Sequence, residues 1–139
     1  AIDCCQNAVK TAEINAKLHH IKNRIKILKT DVDNFNSGKY DLVISNPPYI
    51  DKHQLKYLDV SEFEPLKALN GGINGIEILS RVIIKSSKLL KVNGNLIIEI
   101  GSDQKYKVIK ILKNNNYYIN RIIKDLSNND RCIVCTKLQ

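Results

Sequence analysis

The residues best suited to chemistry form the string Asn46-Pro47-Pro48-Tyr49, which closes the apolar run 40–45. Proline cannot donate to a β-ladder and fixes its own φ at about −65°, and the residue before it is kept extended. The pattern predicts a buried parallel strand that stops in a stiff bend, at the edge where open α/β sheets bind ligands. The Asn46 amide, the Pro47 carbonyl and the Tyr49 ring could together hold a planar NH₂ group.

The alternative is a strand that ends in a proline-rich turn, with Tyr49 packed against the nearest surface. Such a turn would explain two adjacent prolines. In a chain of this length, however, the complete four-residue string is expected by chance only about once in a thousand sequences. Its place directly after an apolar run favours a functional motif, and residues 46–49 are called the Asn-Pro-Pro-Tyr motif below.

Two acidic residues follow other predicted strand ends. Asp3 closes a strand at the start of the chain, and Asp31 follows a short strand predicted over residues 23–28. In nucleotide-binding α/β folds an acid at a strand end accepts hydrogen bonds from ribose hydroxyls, and an acid at the next strand end can accept from an adenine amine. Singly, each acid is more often a helix cap or turn residue. Together with the Asn-Pro-Pro-Tyr motif they predict a cofactor-binding crescent along the sheet edge.

Size and hydropathy predict one soluble domain. The chain has 139 residues, of which 43% are hydrophobic, enough for a substantial core. No apolar run approaches the roughly 20 residues that span a bilayer, and no signal peptide opens the chain. We therefore expect a cytoplasmic protein without membrane association.

The net charge of +8 favours a polyanionic partner in general terms. The lysines are scattered along the sequence, however, and the richness in Lys, Asn and Ile is what AT-rich coding would produce. Binding to nucleic acid is therefore possible but not favoured.

The pair Cys132 and Cys135 has the spacing of a redox or zinc pair. Both cysteines lie in a predicted strand, where residues three apart point to opposite faces. Neither a second pair nor a suitably spaced histidine accompanies them. We expect four reduced thiols and no metal.

The hydrophobic periods predict the order β-α-β-β-loop-α-β-α-β-β. Residues 50–75 show no clean period, and so long an irregular segment is usually a lid or binding loop. The predicted elements are strands ending at residue 3 and over 23–28, 40–45, 95–100, 117–125 and 131–137, and helices over 5–18, 79–90 and from an N-cap at Ser102 to 113. This order predicts an α/β, doubly wound, mostly parallel sheet that closes on a C-terminal antiparallel strand.

The sequence resembles a known family. The Asn-Pro-Pro-Tyr motif after an apolar strand is similar to that of S-adenosylmethionine-dependent amino-methyltransferases, and the wider pattern resembles the HemK/PrmC type, the peptide chain release factor glutamine methyltransferases. The resemblance covers essentially the whole chain and is most specific over 43–75. It is carried by residues 43–50, Phe63-Glu64-Pro65 with Ala68-Leu69, Gly71-Gly72 with Gly75, Glu99-Ile100-Gly101 and Asp130-Arg131.

The resemblance implies methyl transfer to the side-chain amide nitrogen of the Gln in the Gly-Gly-Gln tip of a release factor, the protein partner. Asn46 and the Pro47 carbonyl would hold the amide NH₂, with Pro48 and Tyr49 completing the substrate site. Asn46, Pro47 and Tyr49 would be the catalytic residues. An amide nitrogen is a poor nucleophile, and two acceptors on its hydrogens would return electron density to it.

The implied cofactor is S-adenosylmethionine in a Rossmann-like fold. Asp3 would bind the ribose of the cofactor and Asp31 its adenine end. Asn46 would also bind the cofactor. The segment Phe63-Glu64-Pro65 would have a supporting role.

One departure concerns the start of the chain. The family has an N-terminal helical domain, then a first strand with a Gly-rich loop, and none of these is present in the sequence. We therefore expect residues 1–139 to be a partial methyltransferase catalytic domain that lacks the first strand. On its own it is expected to be inactive and to bind S-adenosylmethionine weakly or not at all.

Two other functions stay open. An adenine amino-methyltransferase acting on DNA or RNA would grip an NH₂ group in the same way, but it needs an aromatic or cationic platform for the base. Residues 50–75 hold few aromatics and several acids, and Phe63-Glu64-Pro65 favours a protein substrate. An inactive, methyltransferase-like binding module is the second alternative. The missing Gly-rich loop supports it, and the intact Asn-Pro-Pro-Tyr motif argues against it.

Overall fold

A computed structural model describes residues 1–57 and 64–139 of the protein. They form two compact units, the first Ala1–Ser37 and the second Gly38–Gln139. The strands are β1 (Ile2–Asp3), β2 (Leu28–Lys29), β3 (Tyr40–Ser45), β4 (Leu90–Glu99), β5 (Tyr117–Lys124) and β6 (Asp130–Lys137), and the α-helices are α1 (Gln6–Leu18), α2 (Leu66–Leu69), α3 (Glu77–Leu89) and α4 (Lys105–Asn114). The α/β class predicted from the sequence is confirmed.

The first unit is a parallel strand pair joined by a helix. β1 and β2 pair with Ile2 beside Leu28 and Asp3 beside Lys29. α1 connects them, as its period predicts, and buries Val9 and Ala16. The strand predicted over 23–28 is wrong in extent, because Lys22–Arg24 forms a 3₁₀ turn and the chain becomes a strand only where it pairs with β1.

The second unit contains a mixed sheet in the order β3-β4-β6-β5. β3 and β4 are parallel, with Val43 beside Leu96 and Ser45 beside Ile98. β6 lies between β4 and β5 and runs antiparallel to both. The predicted C-terminal antiparallel hairpin is therefore confirmed. The carboxyl ends of β3 and β4 meet at one edge of this sheet.

The core of the second unit lies on one face of the sheet. Side chains with no exposed surface come from β4, β6, α3 and α4 and include Leu79, Ile83, Leu96, Ile98, Val108, Leu112, Ile133 and Cys135. On the same face the Tyr117 hydroxyl lies 2.8 Å from the Ser86 hydroxyl of α3. Burial raises the pKa of Cys135 to about 12, as expected for a thiol in this apolar layer.

The prediction that β3 is a buried strand is wrong for part of its surface. Leu42 is 45% and Ile44 68% exposed, whereas Val43 and Ser45 are partly covered. β3 is at the edge of its sheet, and the wholly buried side chains of β4 lie on the face that Val43 and Ser45 share. The apolar run is typical of strands covered on both faces, and here the face of Leu42 and Ile44 is open.

Three other boundaries differ from the prediction. β4 begins at Leu90 instead of residue 95, because the strand includes Asn93, a residue with a φ of +64°. α4 begins at Lys105, and Ser102 lies in a turn before it instead of capping it. The irregular segment 50–75 contains α2 and 3₁₀ turns at Leu55–Tyr57 and Ile73–Gly75. Phe63 lies outside the described residues.

In the described ranges 1–57 and 64–139, no helix is long and apolar enough to cross a membrane. The same ranges contain no group of three or more His, Cys, Asp or Glu residues placed to hold a metal ion.

The asymmetry of the sheet can be tested with two Ile→Ala substitutions. Ile98→Ala removes a wholly buried side chain and should lower the free energy of unfolding by about 2–5 kcal/mol. Ile44→Ala, in the neighbouring strand but 68% exposed, should change it by less than about 0.5 kcal/mol. Urea unfolding of both variants measures the difference. Equal losses would contradict the exposed position of Ile44.

Candidate functional site

The Asn-Pro-Pro-Tyr motif follows directly on β3, as predicted, at the edge where β3 and β4 end. Asn46 is exposed and Pro47 is buried. No other described residue forms a hydrogen bond with the Asn46 side chain or the Pro47 carbonyl. Both oxygens are therefore able to accept hydrogen bonds from a ligand.

Tyr49 is fixed through its hydroxyl. The hydroxyl donates to Oε1 of Glu99, the last residue of β4, over 3.0 Å. Burial raises the pKa of Tyr49, and the hydrogen bond and charge of Glu99 raise it further, while the nearby Arg131 opposes them. Tyr49 is consequently a neutral phenol near pH 7, able to pack and to donate but not to act as a base.

The backbone of Tyr49 is held by the side chain of Gln104, a residue only 5% exposed. Nε2 of Gln104 donates to the carbonyl of Tyr49 over 2.7 Å and to that of Gly75 over 3.3 Å, and its Oε1 accepts from the N–H of Gly101 over 2.9 Å. These bonds also explain the start of α4. Residues 101–104 form a turn that aims Gln104 at the motif, so Ser102 has no helix to cap.

Glycines allow the segment 69–75 to approach the motif closely. Ile50 donates its N–H to the Leu69 carbonyl over 3.0 Å and accepts from the Gly71 N–H over 2.8 Å. A Cβ at Gly71 would lie 2.7 Å from the Tyr49 Cα, and one at Gly75 would lie 2.1 Å from the Tyr49 carbonyl oxygen. Gly75 also has a φ of +64°. Only glycine fits both positions.

A polar cavity of about 310 Å³ opens beside Tyr49. Its lining includes Asn74, Gln104, Lys107 and Arg131. The Arg131 guanidinium faces the Tyr49 ring, with Cζ 5.9 Å from the ring centroid. The cavity therefore offers both donors and acceptors next to the motif.

The first unit contains a larger groove, of about 590 Å³, with none of the predicted site residues in its lining. Lysines from α1 and from the segment after it surround apolar side chains there; they are Lys10, Lys17, Lys22 and Lys26. The linear sequence, in which these lysines are spread out, does not predict the cluster.

The two predicted cofactor acids lie at the same end of the β1–β2 pair. Asp3 ends β1, and its backbone carbonyl accepts from Thr30, one residue before Asp31. Each carboxylate also supports a local turn, since Oδ1 of Asp3 accepts from Cys5 over 2.7 Å and Oδ1 of Asp31 accepts from Asp33 over 3.0 Å. Their predicted place is confirmed, and their cofactor role stays a prediction.

The two acids belong to the first unit, and the Asn-Pro-Pro-Tyr motif belongs to the second. The predicted crescent along one sheet edge stays a prediction.

Sequence reasoning missed the importance of three side chains around Tyr49. The sequence motifs include Glu99 and Arg131 only as part of the family resemblance, and they do not include Gln104. The available signal was glycine at 75 and 101, which marks close backbone approaches. No local pattern connects residue 104 with residue 49.

The Gln104 bonds predict a measurable loss of stability. Gln104→Ala removes the bonds to three backbone groups, of which those of Gly75 and Gly101 are buried, and should lower the free energy of unfolding by about 1–3 kcal/mol. Gln54→Ala, at an exposed glutamine lining the same cavity, is the matched control and should have little effect. Urea unfolding compares the two variants. Similar values for both would show that Gln104 does not hold the motif.

Comparisons with known proteins identify methyltransferases as relatives of the chain. The family model described as "Eco57I restriction-modification methylase" matches residues 2–130. Four bacterial relatives named release factor glutamine methyltransferase are 32–36% identical over 91–98% of this chain. That of Clostridium acetobutylicum is 34% identical over 97% of this chain and 49% of its own length. A ribosomal protein uL3 glutamine methyltransferase of Francisella tularensis is 36% identical over 74% of this chain and 33% of its own.

These matches concern only part of each relative, because the chain spans less than half the length of each of these curated relatives. Solved structures show the same fold. A ribosomal protein L11 methylase of Lactobacillus delbrueckii superposes with a TM-score of 0.71 at 21% identity, over 100% of this chain and 57% of its own. An S-adenosylmethionine-dependent methyltransferase of Clostridium acetobutylicum gives 0.67 at 13% identity, over 100% and 74%.

Proposed function

The chain belongs to the Eco57I restriction-modification methylase family, and from the names of its curated relatives we propose that it is part of a methyltransferase catalytic domain that methylates the side-chain amide nitrogen of a glutamine. The Gly-Gly-Gln tip of a peptide chain release factor, in the cytoplasm, is the proposed substrate. The observation that carries the proposal is a pair of acceptors at the carboxyl end of β3, the Asn46 amide oxygen and the Pro47 carbonyl, to which none of the described residues donates.

The two acceptors suit an amide NH₂ group. The nitrogen lone pair of a primary amide is delocalised into its carbonyl, so the nitrogen is weakly nucleophilic. Hydrogen bonds from both N–H groups to Asn46 and Pro47 increase electron density on nitrogen and fix the plane of the amide. Positioning and local dipoles can supply most of the acceleration.

No protein base is required for this reaction. The amide nitrogen would form a bond to the methyl carbon while the bond from that carbon to the sulfonium sulfur breaks, so that the sulfur leaves as the thioether of S-adenosylhomocysteine. The methylated nitrogen would then release one of its two protons to water. Tyr49 has a raised pKa and cannot serve as a base near neutral pH. Its role is to pack beside the amide, with its hydroxyl held by Glu99.

The cofactor is S-adenosylmethionine, which supplies the methyl group. The donor set fits it chemically, because Asp3 and Asp31 lie at the ends of paired parallel strands, as acids that bind nucleosides do. A carboxylate has about four lone-pair sites, so a carboxylate that bonds a turn N–H can in general accept from a ribose or adenine donor as well. Asn46 is proposed to border the cofactor as well as the substrate.

The proposed substrate follows the names of the relatives. They share glutamine as the residue acted on, and four of them name a release factor. The motif alone does not distinguish a glutamine amide from the amine of adenine, since both are planar NH₂ groups with a delocalised lone pair.

A nucleic-acid adenine is the second candidate substrate. The description of the matching family and the lysine-lined groove of the first unit favour it. The polar lining of the cavity beside Tyr49 favours a protein substrate, because a flipped base requires aromatic or apolar surfaces on which to stack.

Asn46→Ala tests whether the Asn46 amide oxygen binds the NH₂ group of the substrate. It removes one of the two acceptors and should lower kcat by at least about a hundredfold, the range seen when one preorganised polar group at a reacting centre is removed. The assay follows methyl transfer from labelled S-adenosylmethionine to release factor by the intact protein. Asn114→Ala, at an exposed residue of α4, serves as the control and should retain full activity. Circular dichroism should show the fold unchanged in both, and near-normal turnover by Asn46→Ala would contradict the proposed role.

A substrate comparison distinguishes the candidate functions. The intact protein is incubated with methyl-labelled cofactor and release factor, the same factor with the Gly-Gly-Gln glutamine replaced by alanine, DNA, or RNA. Label is expected only in unmodified release factor. Label in DNA or RNA adenine would support the second candidate, and cofactor binding without any transfer would indicate a binding module.

A further inference from the structure

Arg131, at the start of β6, is held in one orientation by three hydrogen bonds. Its Nε and Nη2 both donate to Oδ2 of Asp125, over 3.2 and 3.1 Å. Nη1 donates to the carbonyl of Ile100 over 3.1 Å. The plane of the guanidinium is therefore fixed from two sides.

The carboxylate of Asp125 is itself immobilised by the turn between β5 and β6. Its Oδ1 accepts from the backbone N–H groups of Ser127 and Asn129, each over 2.9 Å. The bond from the Asn129 backbone is the main cause that lowers the pKa of Asp125, with smaller contributions from Arg131 and the Ser127 backbone, so the carboxylate is charged near neutral pH. The turn thus presents a rigid anion to Arg131.

The same guanidinium lies over the ring of Tyr49, with Cζ 5.9 Å from the centroid, within the range of a cation–π contact. The Tyr49 hydroxyl is bound by Glu99 and its carbonyl by Gln104. Both polar ends of Tyr49 are therefore hydrogen-bonded, and the guanidinium of Arg131 contacts the ring between them.

We infer that Asp125 and Arg131 are positioning residues, which hold the Tyr49 ring in the orientation that packs against the amide of the substrate. The inference rests on the proposed function and extends it to a turn more than 70 residues beyond the motif. The Arg131–Asp125 pair is partly exposed, with side-chain exposures of 30% and 26%, and such pairs add little to stability. A role in stability alone does not explain why the fixed Arg131 guanidinium lies over one aromatic ring.

A double-mutant cycle in the intact protein tests the inference. Arg131→Lys keeps the charge but cannot make the forked contact, and it should lower kcat for release factor methylation about tenfold, with KM for S-adenosylmethionine unchanged. In a Tyr49→Leu background the same substitution should lower kcat by less than twofold, because the ring on which Arg131 acts is gone. Equal losses in both backgrounds would overturn the inference.

Asp125→Asn is the second variant and should behave like Arg131→Lys, since the amide offers a weaker partner to the guanidinium. The matched control is Asp41→Asn, which weakens another ion pair of the second unit, Lys91 to Asp41 at 2.8 Å. It should leave kcat unchanged. A loss in the control as large as that in Asp125→Asn would also overturn the inference.

A spectroscopic readout does not depend on turnover. In protein with ¹³C-labelled tyrosine rings, the Tyr49 signals are assigned with Tyr49→Phe and followed against pH. Because the charge of Arg131 lowers the pKa of Tyr49, Arg131→Ala should raise that pKa and shift the ring signals. Unchanged signals would refute the positioning role. A wild-type protein without methyl transfer would refute the proposed function instead, and the ring signals would still report whether Arg131 fixes Tyr49.

Discussion

The parallel pairing of β3 with β4 is the constraint on which the candidate site depends. The register that sets Ser45 beside Ile98 brings the carboxyl ends of both strands to one edge. The motif therefore begins next to Glu99, the residue that binds the Tyr49 hydroxyl. β6, paired with β4 on its other side, brings Arg131 to the same edge through the bond between its carbonyl and the Ile100 N–H. Two strands, β4 and β6, thus supply groups to the Tyr49 side chain, which itself follows β3.

The sequence predicts well the features that depend on local period. β3 occupies the predicted residues 40–45, and α1 lies within one residue of its predicted bounds, because apolar side chains recur at the spacing of each element. The errors fall where distant contacts decide the outcome. α4 starts late because Gln104 turns toward Tyr49, and one face of β3 is exposed because none of the described helices of the second unit covers Leu42 and Ile44.

The site shows the same division between local and distant causes. The Asn-Pro-Pro-Tyr motif is visible in the sequence because its four residues are adjacent and its two prolines determine the backbone. Asp3 and Asp31 are visible as acids at strand ends, but the sequence cannot separate a turn-stabilising carboxylate from a ligand-binding one. In the structure the carboxylates of Asp3 and Asp31 each stabilise a turn. A single carboxylate can stabilise a turn and bind a ligand at the same time. The sequence does not indicate that Glu99, Gln104 and Arg131 act together, because only the fold brings them close to one another.

The two prolines also explain why the motif needs these distant partners. Proline fixes φ, so the backbone at 47 and 48 is stiff before any tertiary contact forms. It does not restrict the side chain of Tyr49, whose two χ angles remain free to rotate. A reaction that relies on positioning instead of a base loses rate whenever the packing surface moves, because no chemical step compensates for poor geometry. Glu99 bonds the Tyr49 hydroxyl and Arg131 lies over the Tyr49 ring, and both belong to strands that the motif itself cannot specify.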